Sequence, residues 1–256
     1  MTQTIAFAGK GGVGKTTVCG LFIQYLCRKK NGPVLAVDAD ANSNLNEVLG
    51  VDVGMTLGDI RENIAHAETA AVSPIPQGVT KAEYAEMMFG DALTETNDFD
   101  LLVMGRTQGK GCYCFVNGIL TAEIERYAKN YRYIVVDNEA GLEHISRSVL
   151  PKVDTILLVS DCSRRGVQAA GRLAEMIRQM ELGAKEVKLI INRAPNGELN
   201  DGVREEIERY GLTLAGVIPH DDAVYAFDAE GKPSVSIPED SPLKTAARAI
   251  FDSLSL

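Results

Sequence analysis

The chain has 256 residues, 45% of them hydrophobic, which is enough to bury the core of one large α/β domain spanning 1–256 and far from a disordered composition. A formal net charge of −9 argues against nonspecific binding to nucleic acid or anionic lipid and leaves local basic patches open. No stretch approaches a membrane-spanning length and no signal-like segment opens the chain, so a cytoplasmic protein without stable membrane association is expected; five cysteines, an odd number, do not read as a disulfide framework in that reducing compartment.

Taken in order, an apolar run over 5–8 predicts a buried strand. A glycine-rich loop follows, then a helix over 14–29 with Val18, Leu21, Phe22, Tyr25 and Leu26 on one side. Gly32-Pro33 punctuates it before a strand at 34–37. The segment 52–98 fits least well. It holds predicted helices at 57–66 and 80–90 around Ser73-Pro74-Ile75-Pro76, and reads as an insertion or a mobile excursion over the site. Further strands are predicted at 101–104, 133–136, 155–159, 187–191 and 214–218, with helices at 119–129, 164–181 and 201–210. Residues 242–254 form an amphipathic stretch, with Leu243, Ala247, Ile250 and Leu254 on one side and few basic residues, expected to pack on the domain. Short continuous apolar strands alternating with helices predict a doubly wound, mostly parallel sheet flanked by helices. Ligands of such sheets bind at the carboxyl ends of the strands, and each motif below lies just after a predicted strand.

Residues Gly9-Lys10-Gly11-Gly12-Val13-Gly14-Lys15-Thr16-Thr17 stand between strand and helix, the context of a phosphate-binding loop of a P-loop NTPase. Glycines let the backbone wrap around phosphates with its N–H groups pointing inward, and the helix N-terminus adds favourable partial charge. Lys15 is placed to reach the β- and γ-phosphates and the Thr16 hydroxyl to ligate Mg²⁺. Asp38-Ala39-Asp40 ends the second strand and Asp137-Asn138-Glu139-Ala140-Gly141 ends the strand from Tyr133. A carboxylate at a strand end suits Mg²⁺ held through water, the role read for Asp137, and Gly141 allows a backbone N–H to meet the γ-phosphate. Aspartates after strands also cap helices or make turns, which is the plain alternative for Asp38, Asp40 and Asp137.

Cys112-Tyr113-Cys114 lies between glycines. One Cys-x-Cys does not readily complete a tetrahedral thiolate site; two copies, one from each protomer of a symmetric homodimer, supply four thiolates, suited to Zn²⁺, Ni²⁺, Cu⁺ or an iron–sulfur centre. A redox pair or two ordinary buried cysteines are the alternatives. Cys19, Cys27 and Cys162 read as small core residues.

Lys10, a second lysine just after the first glycine, makes the loop resemble the deviant Walker A ATPases, a family that includes the nitrogenase iron protein, Min-type and Par-type ATPases and the arsenical pump ATPase. The resemblance implies that Lys10 reaches the nucleotide of the partner subunit, so that ATP binding and dimer closure are one event. It also implies that Asp40 orients the attacking water and that Asp38 supports a switch. Asn192 and Arg193 match the family's base-contacting position, and Pro219-His220-Asp221 is where the adenine pocket is expected. The guanine-reading Asn/Thr-Lys-x-Asp pattern is absent, favouring ATP/ADP. With the Cys112/Cys114 pair, the whole chain resembles the CooC-type maturation ATPases that serve nickel insertion into carbon monoxide dehydrogenase, and a relative of theirs that acts on acetyl-CoA synthase. That implies ATP, Mg²⁺ and Ni²⁺ or Zn²⁺ as ligands, with one of those enzymes as partner. A membrane- or DNA-binding positioning ATPase and an iron–sulfur carrier gated by ATP are the other classes.

Overall fold

The computed structural model describes residues 2–29, 32–40, 42–67, 73–105, 114–139, 153–180 and 184–254, with backbone alone at 114–117, 119 and 120. Eight strands form one sheet: β1 (Gln3–Gly9), β2 (Val34–Ala39), β3 (Leu93–Glu95), β4 (Asp100–Val103), β5 (Tyr133–Asn138), β6 (Thr155–Asp161), β7 (Glu186–Ala194) and β8 (Leu214–Pro219), in the order β3-β4-β2-β5-β1-β6-β7-β8. All pair parallel except β3, which runs antiparallel along β4 with Leu93 opposite Leu102.

Alternation along each central strand feeds two cores. Ile5, Phe7, Val135 and Leu157 face α1 (Lys15–Lys29), α2 (Leu45–Leu49) and α9 (Pro242–Asp252). Ala6, Ala8, Val136 and Leu158 face the opposite layer, built from α3 (Leu57–His66), α4 (Lys81–Ala92), α5 (Cys114–Ala128), α6 (Arg164–Gln179) and α7 (Asp201–Arg209). A short helix, α8 (Asp222–Ala229), follows β8 and buries none of its residues fully. The doubly wound fold is therefore as expected.

Two expectations are corrected, and one strand not expected from the sequence, β3, is added. Residues 57–66 and 81–92 do not lie over the site as an excursion. Leu57, Ile60 and Ile64 of α3 and Tyr84, Ala85 and Phe89 of α4 recur at helical spacing and are buried against the sheet. Each of these helices starts at a reciprocal cap, Thr56 with Asp59 and Thr80 with Glu83. The edge strand β3 has only three residues, too few to show a period. Helix α5 spans Cys114–Ala128, five residues earlier than the expected 119, and runs through Gly118 at a cost of about 1 kcal/mol.

α9 is held to α1 by aromatic packing. Phe22 meets Phe251 edge-on with ring centroids 5.0 Å apart, and both are buried. Truncating Phe22 to alanine would cost about 3–5 kcal/mol. The apolar face of the C-terminal helix is spent inside the molecule, as its low basic content suggested, and among the described residues no helix is long and apolar enough to cross a membrane.

Candidate active site

The carboxyl edge of the sheet gathers the predicted residues. Register explains why: Asp38 of β2 pairs with Asp137 of β5, and Asp161 of β6 pairs with Asn192 of β7. The motif residues Asp38, Asp137, Asn192 and Pro219 sit within the strands rather than after them, because the parallel ladders continue through these positions.

The loop from Gly9 to Gly14 turns over this edge. A Cβ on Gly9 would lie 2.2 Å from the Val159 carbonyl oxygen, so no larger residue fits. Gly14, at φ +86°, is closed in by Asn192, whose amide nitrogen would stand 2.4 Å from an added Cβ. That Asn192 nitrogen donates to the Val13 carbonyl at 2.9 Å, and its oxygen accepts from the Arg193 N–H at 3.0 Å. Arg193 donates to the Gly12 carbonyl at 2.9 Å from a backbone with φ 58°. The structure thus places Asn192 and Arg193 as braces of the loop as well as walls of the neighbouring cleft. Lys15 is buried at the first turn of α1, Thr16 and Thr17 are half-buried, and Lys10, Gly11 and Gly12 are exposed.

Asp38 spends both carboxylate oxygens on the following turn, accepting from the N–H of Asp40 at 3.0 Å and of Leu45 at 2.9 Å. Burial pushes its pKa up to about 6 against these hydrogen bonds. Asp40 is half-buried and accepts from the Asn42 N–H at 2.8 Å. Asp137 is almost fully buried, yet among the described residues neither of its oxygens meets a donor in bonding geometry. Burial pushes its pKa up to about 7; the Lys15 charge and the nearby Thr16 hydroxyl oppose the rise, and Asp38 and Asp40 add to it. A buried carboxylate with no donor, beside a threonine hydroxyl, suits a hydrated divalent cation.

A cavity of about 370 Å³ opens over the loop, lined by Gly11, Lys15, Thr16, Asp40, Glu139 and Arg193 among others. A second of about 360 Å³ adjoins it at Gly14 and Arg193; Asn192, Pro219, His220, Asp221 and Tyr225 line it. A third of about 700 Å³ meets the loop at Thr16 and Thr17. These volumes match small-molecule sites of about 300–1,000 Å³. Asp221 is the N-cap of α8, accepting from the Ala223 N–H, and also from the Leu243 N–H. His220 is exposed and lies 3.1 Å from Asp222.

The sequence reading did not single out Glu139 or Tyr225. Glu139 sits inside the recognised Asp137–Gly141 stretch and was open to discovery there. Tyr225, 77% exposed, lies on an eight-residue helix with no pattern to point at it. Gly141 and Cys112 lie outside the described residues, as does the side chain of Cys114. Among the described residues no group of three or more His, Cys, Asp or Glu could hold a metal ion. Of the other cysteines, Cys19 is buried, whereas Cys27 and Cys162 are only half-buried at the margins of the cores, where strand and helix ends meet loops.

Residues 4–235 match the CobQ/CobB/MinD/ParA nucleotide binding domain, so the chain belongs to that family. It is 39% identical over 252 residues to an uncharacterized ATP-binding protein of Methanocaldococcus jannaschii, covering 98% of this chain and 97% of that one. It is 27% identical over 239 residues to the carbon monoxide dehydrogenase accessory protein CooC of Rhodospirillum rubrum, covering 89% and 87%. A ParA family ATPase from Chlorobium tepidum TLS superposes with a TM-score of 0.71 at 20% identity, over 98% of this chain and 97% of that one. The protein is an ATPase of the MinD/ParA family.

Proposed function

We propose that this ATPase is a maturation factor of the CooC type, which couples ATP turnover to nickel insertion into carbon monoxide dehydrogenase or the associated acetyl-CoA synthase. The observation that carries the reading is the root of the cysteine segment. β4 lies beside β2, with Val103 opposite Asp38, and the Met104 N–H donates to the Asp38 carbonyl at 2.8 Å. The chain that then leads to Cys112, Cys114 and α5 leaves the sheet one strand from Asp38 and two strands from Asp137. The similarity to CooC over most of both chains supports it. The buried apolar face of α9 speaks against a membrane-binding positioning role.

In this reading Lys15 holds the β- and γ-phosphates, and the backbone N–H groups of 11–16 surround them. Thr16 and Asp137 hold Mg²⁺, which neutralises phosphate charge. Asp40 orients the water that attacks the γ-phosphorus; ATP and water become ADP and phosphate. Gly141 senses the γ-phosphate. Pro219 and Tyr225 flank the base, Tyr225 offering a flat apolar face. Lys10, exposed at the loop tip, crosses to the nucleotide of a second copy. Two copies bring Cys112 and Cys114 together as four thiolates around the nickel or zinc cargo. ATP and metal binding are then coupled through one dimer.

The test is activation of nickel-free carbon monoxide dehydrogenase with ATP and Ni²⁺. The Cys112→Ser/Cys114→Ser protein should bind ATP normally, lose stoichiometric metal and fail to activate the client. Full activation by that variant would remove the pair from the working route.

A further inference from the structure

A second cavity system lies away from the nucleotide loop, between the C-terminal half of α1 and α9. It measures about 250 Å³, below the usual size of an enclosed small-molecule pocket. Its floor is apolar, formed by Leu21, Tyr25, Ala247 and Phe251, with the Tyr25 and Phe251 rings 5.4 Å apart. Its rim is cationic. Arg28, Lys29 and Arg248 stand there with two carboxylates, Glu239 and Asp252, in a chain of net charge −9, and the buried Lys244 ammonium backs Glu239 from beneath while also donating to the Val235 carbonyl.

The pairing at the rim is uneven. Glu239 alone receives Arg28, Lys244 at 2.6 Å and Arg248 at 2.5 Å. Asp252 receives Lys29 at 2.8 Å and the Tyr25 hydroxyl at 2.8 Å. Each guanidinium carries five N–H donors, and those of Arg28 and Arg248 are half exposed, so both keep donors for a further anion. Exposed ion pairs of this kind contribute little and exchange partners at small cost. An apolar floor under surplus, fork-shaped cations matches a ligand with one apolar side chain set between carboxylates.

We propose that the groove between α1 and α9 is a docking site for an acidic peptide segment of a partner protein, its apolar side chain seated on Tyr25 and Phe251 and its carboxylates on Arg28 and Arg248. The inference stands apart from the metal and the client enzyme of the preceding reading. The site shares α1 with the phosphate loop and uses none of the residues assigned to nucleotide.

The probe is a fluorescein-labelled peptide, Glu-Glu-Asp-Phe-Asp-Glu-Glu, titrated into the full chain by anisotropy, with backbone amide shifts mapped by NMR. Saturable binding is expected, with shifts clustered at 21–29 and 244–252. Arg28→Gln/Arg248→Gln should weaken binding about tenfold or more and leave ATP turnover unchanged. Replacing the peptide's phenylalanine by serine should also weaken it about tenfold. The proposal is overturned by absence of saturable binding, by equal binding of the serine peptide, which indicates simple ion exchange, or by shifts centred elsewhere. It is also overturned if phosphatidylglycerol vesicles, and not the peptide, occupy the groove. Should the double variant fail to fold, the shift map on the unaltered chain and the serine peptide decide the matter.

Discussion

α1 runs for 15 residues, about 22 Å, between two groups of carboxylates in opposite electrostatic states. At its N-terminal end burial pushes Asp38 up to about 6 and Asp137 up to about 7, and among the described residues Asp137 has no donor in bonding geometry. At its C-terminal end Arg28, followed by Lys244, holds Glu239 down at about 2 despite some burial. Asp137 lacks a partner among the described residues, as a carboxylate that takes a cation does, whereas Glu239 is already held by cations whose half-exposed guanidiniums keep donors for a further anion. Perturbation alone does not separate function from structure here. The direction of the shift, with its cause, says which charge each end can still take: a cation beside Asp137, an anion beside the arginines around Glu239.

The largest expected effect removes the cation of the phosphate end. Lys15→Ala should weaken ATP binding by about a hundredfold or more, measured by calorimetry, because phosphate charge then lacks a buried partner. An affinity close to the unaltered protein's would reject the role of Lys15. Asp40→Ala should still bind ATP and lose about 10²–10⁴ in kcat, accumulating an ATP-bound dimer in sedimentation. A variant that turns over normally would transfer the water-orienting role elsewhere in the cavity, with Glu139 the next carboxylate to replace.

A smaller effect tests the comparison itself. Asp137 has a raised folded pKa, so its contribution to stability is present below the unfolded value and lost as pH rises through about 7. The nucleotide-free protein should therefore lose up to about 3 kcal/mol from this group between about pH 5 and pH 8. Thermal melts of Asp137→Asn should show a flatter profile over that window; parallel profiles would place Asp137 in a more polar setting than the structure shows. Glu239 behaves with the opposite sign. Its folded pKa is depressed, so its contribution is present above the ordinary glutamate range and lost as pH falls towards about 2. Being half exposed, its network is worth about 1 kcal/mol or less, and Glu239→Gln should lower stability at neutral pH by no more than that. A loss several times larger would mean that the C-terminal group is buried structure and not a solvated rim.

Much of the molecule was legible in the chain. The run from Gly9 to Thr17 announced strand, phosphate loop and helix, because only glycine meets the backbone demands at Gly9 and Gly14. Short apolar runs gave the parallel sheet; the end of its strand singled out Asp137, and the resemblance of the loop to deviant Walker A ATPases singled out Asp38 and Asp40. Segment 52–98 was misplaced: its two helices are amphipathic, but sequence gives no sign of which surface their apolar faces cover. Tyr225 was invisible because its place on the cleft wall is set by what lies across the cleft, not by its neighbours in the chain.

Local chemistry therefore fixed the phosphate loop, the order of elements and the identity of the charged groups, since backbone conformation, capping and hydrophobic period are set by residues close in sequence. Tertiary structure alone decided that Asn192 braces Gly14 across 178 positions of chain, that Asp38 and Asp137 share a register, and that Arg28 and Arg248 meet over one carboxylate. These depend on strand order and helix packing, which bring together distant residues through the burial of apolar faces that carry no label for their partners.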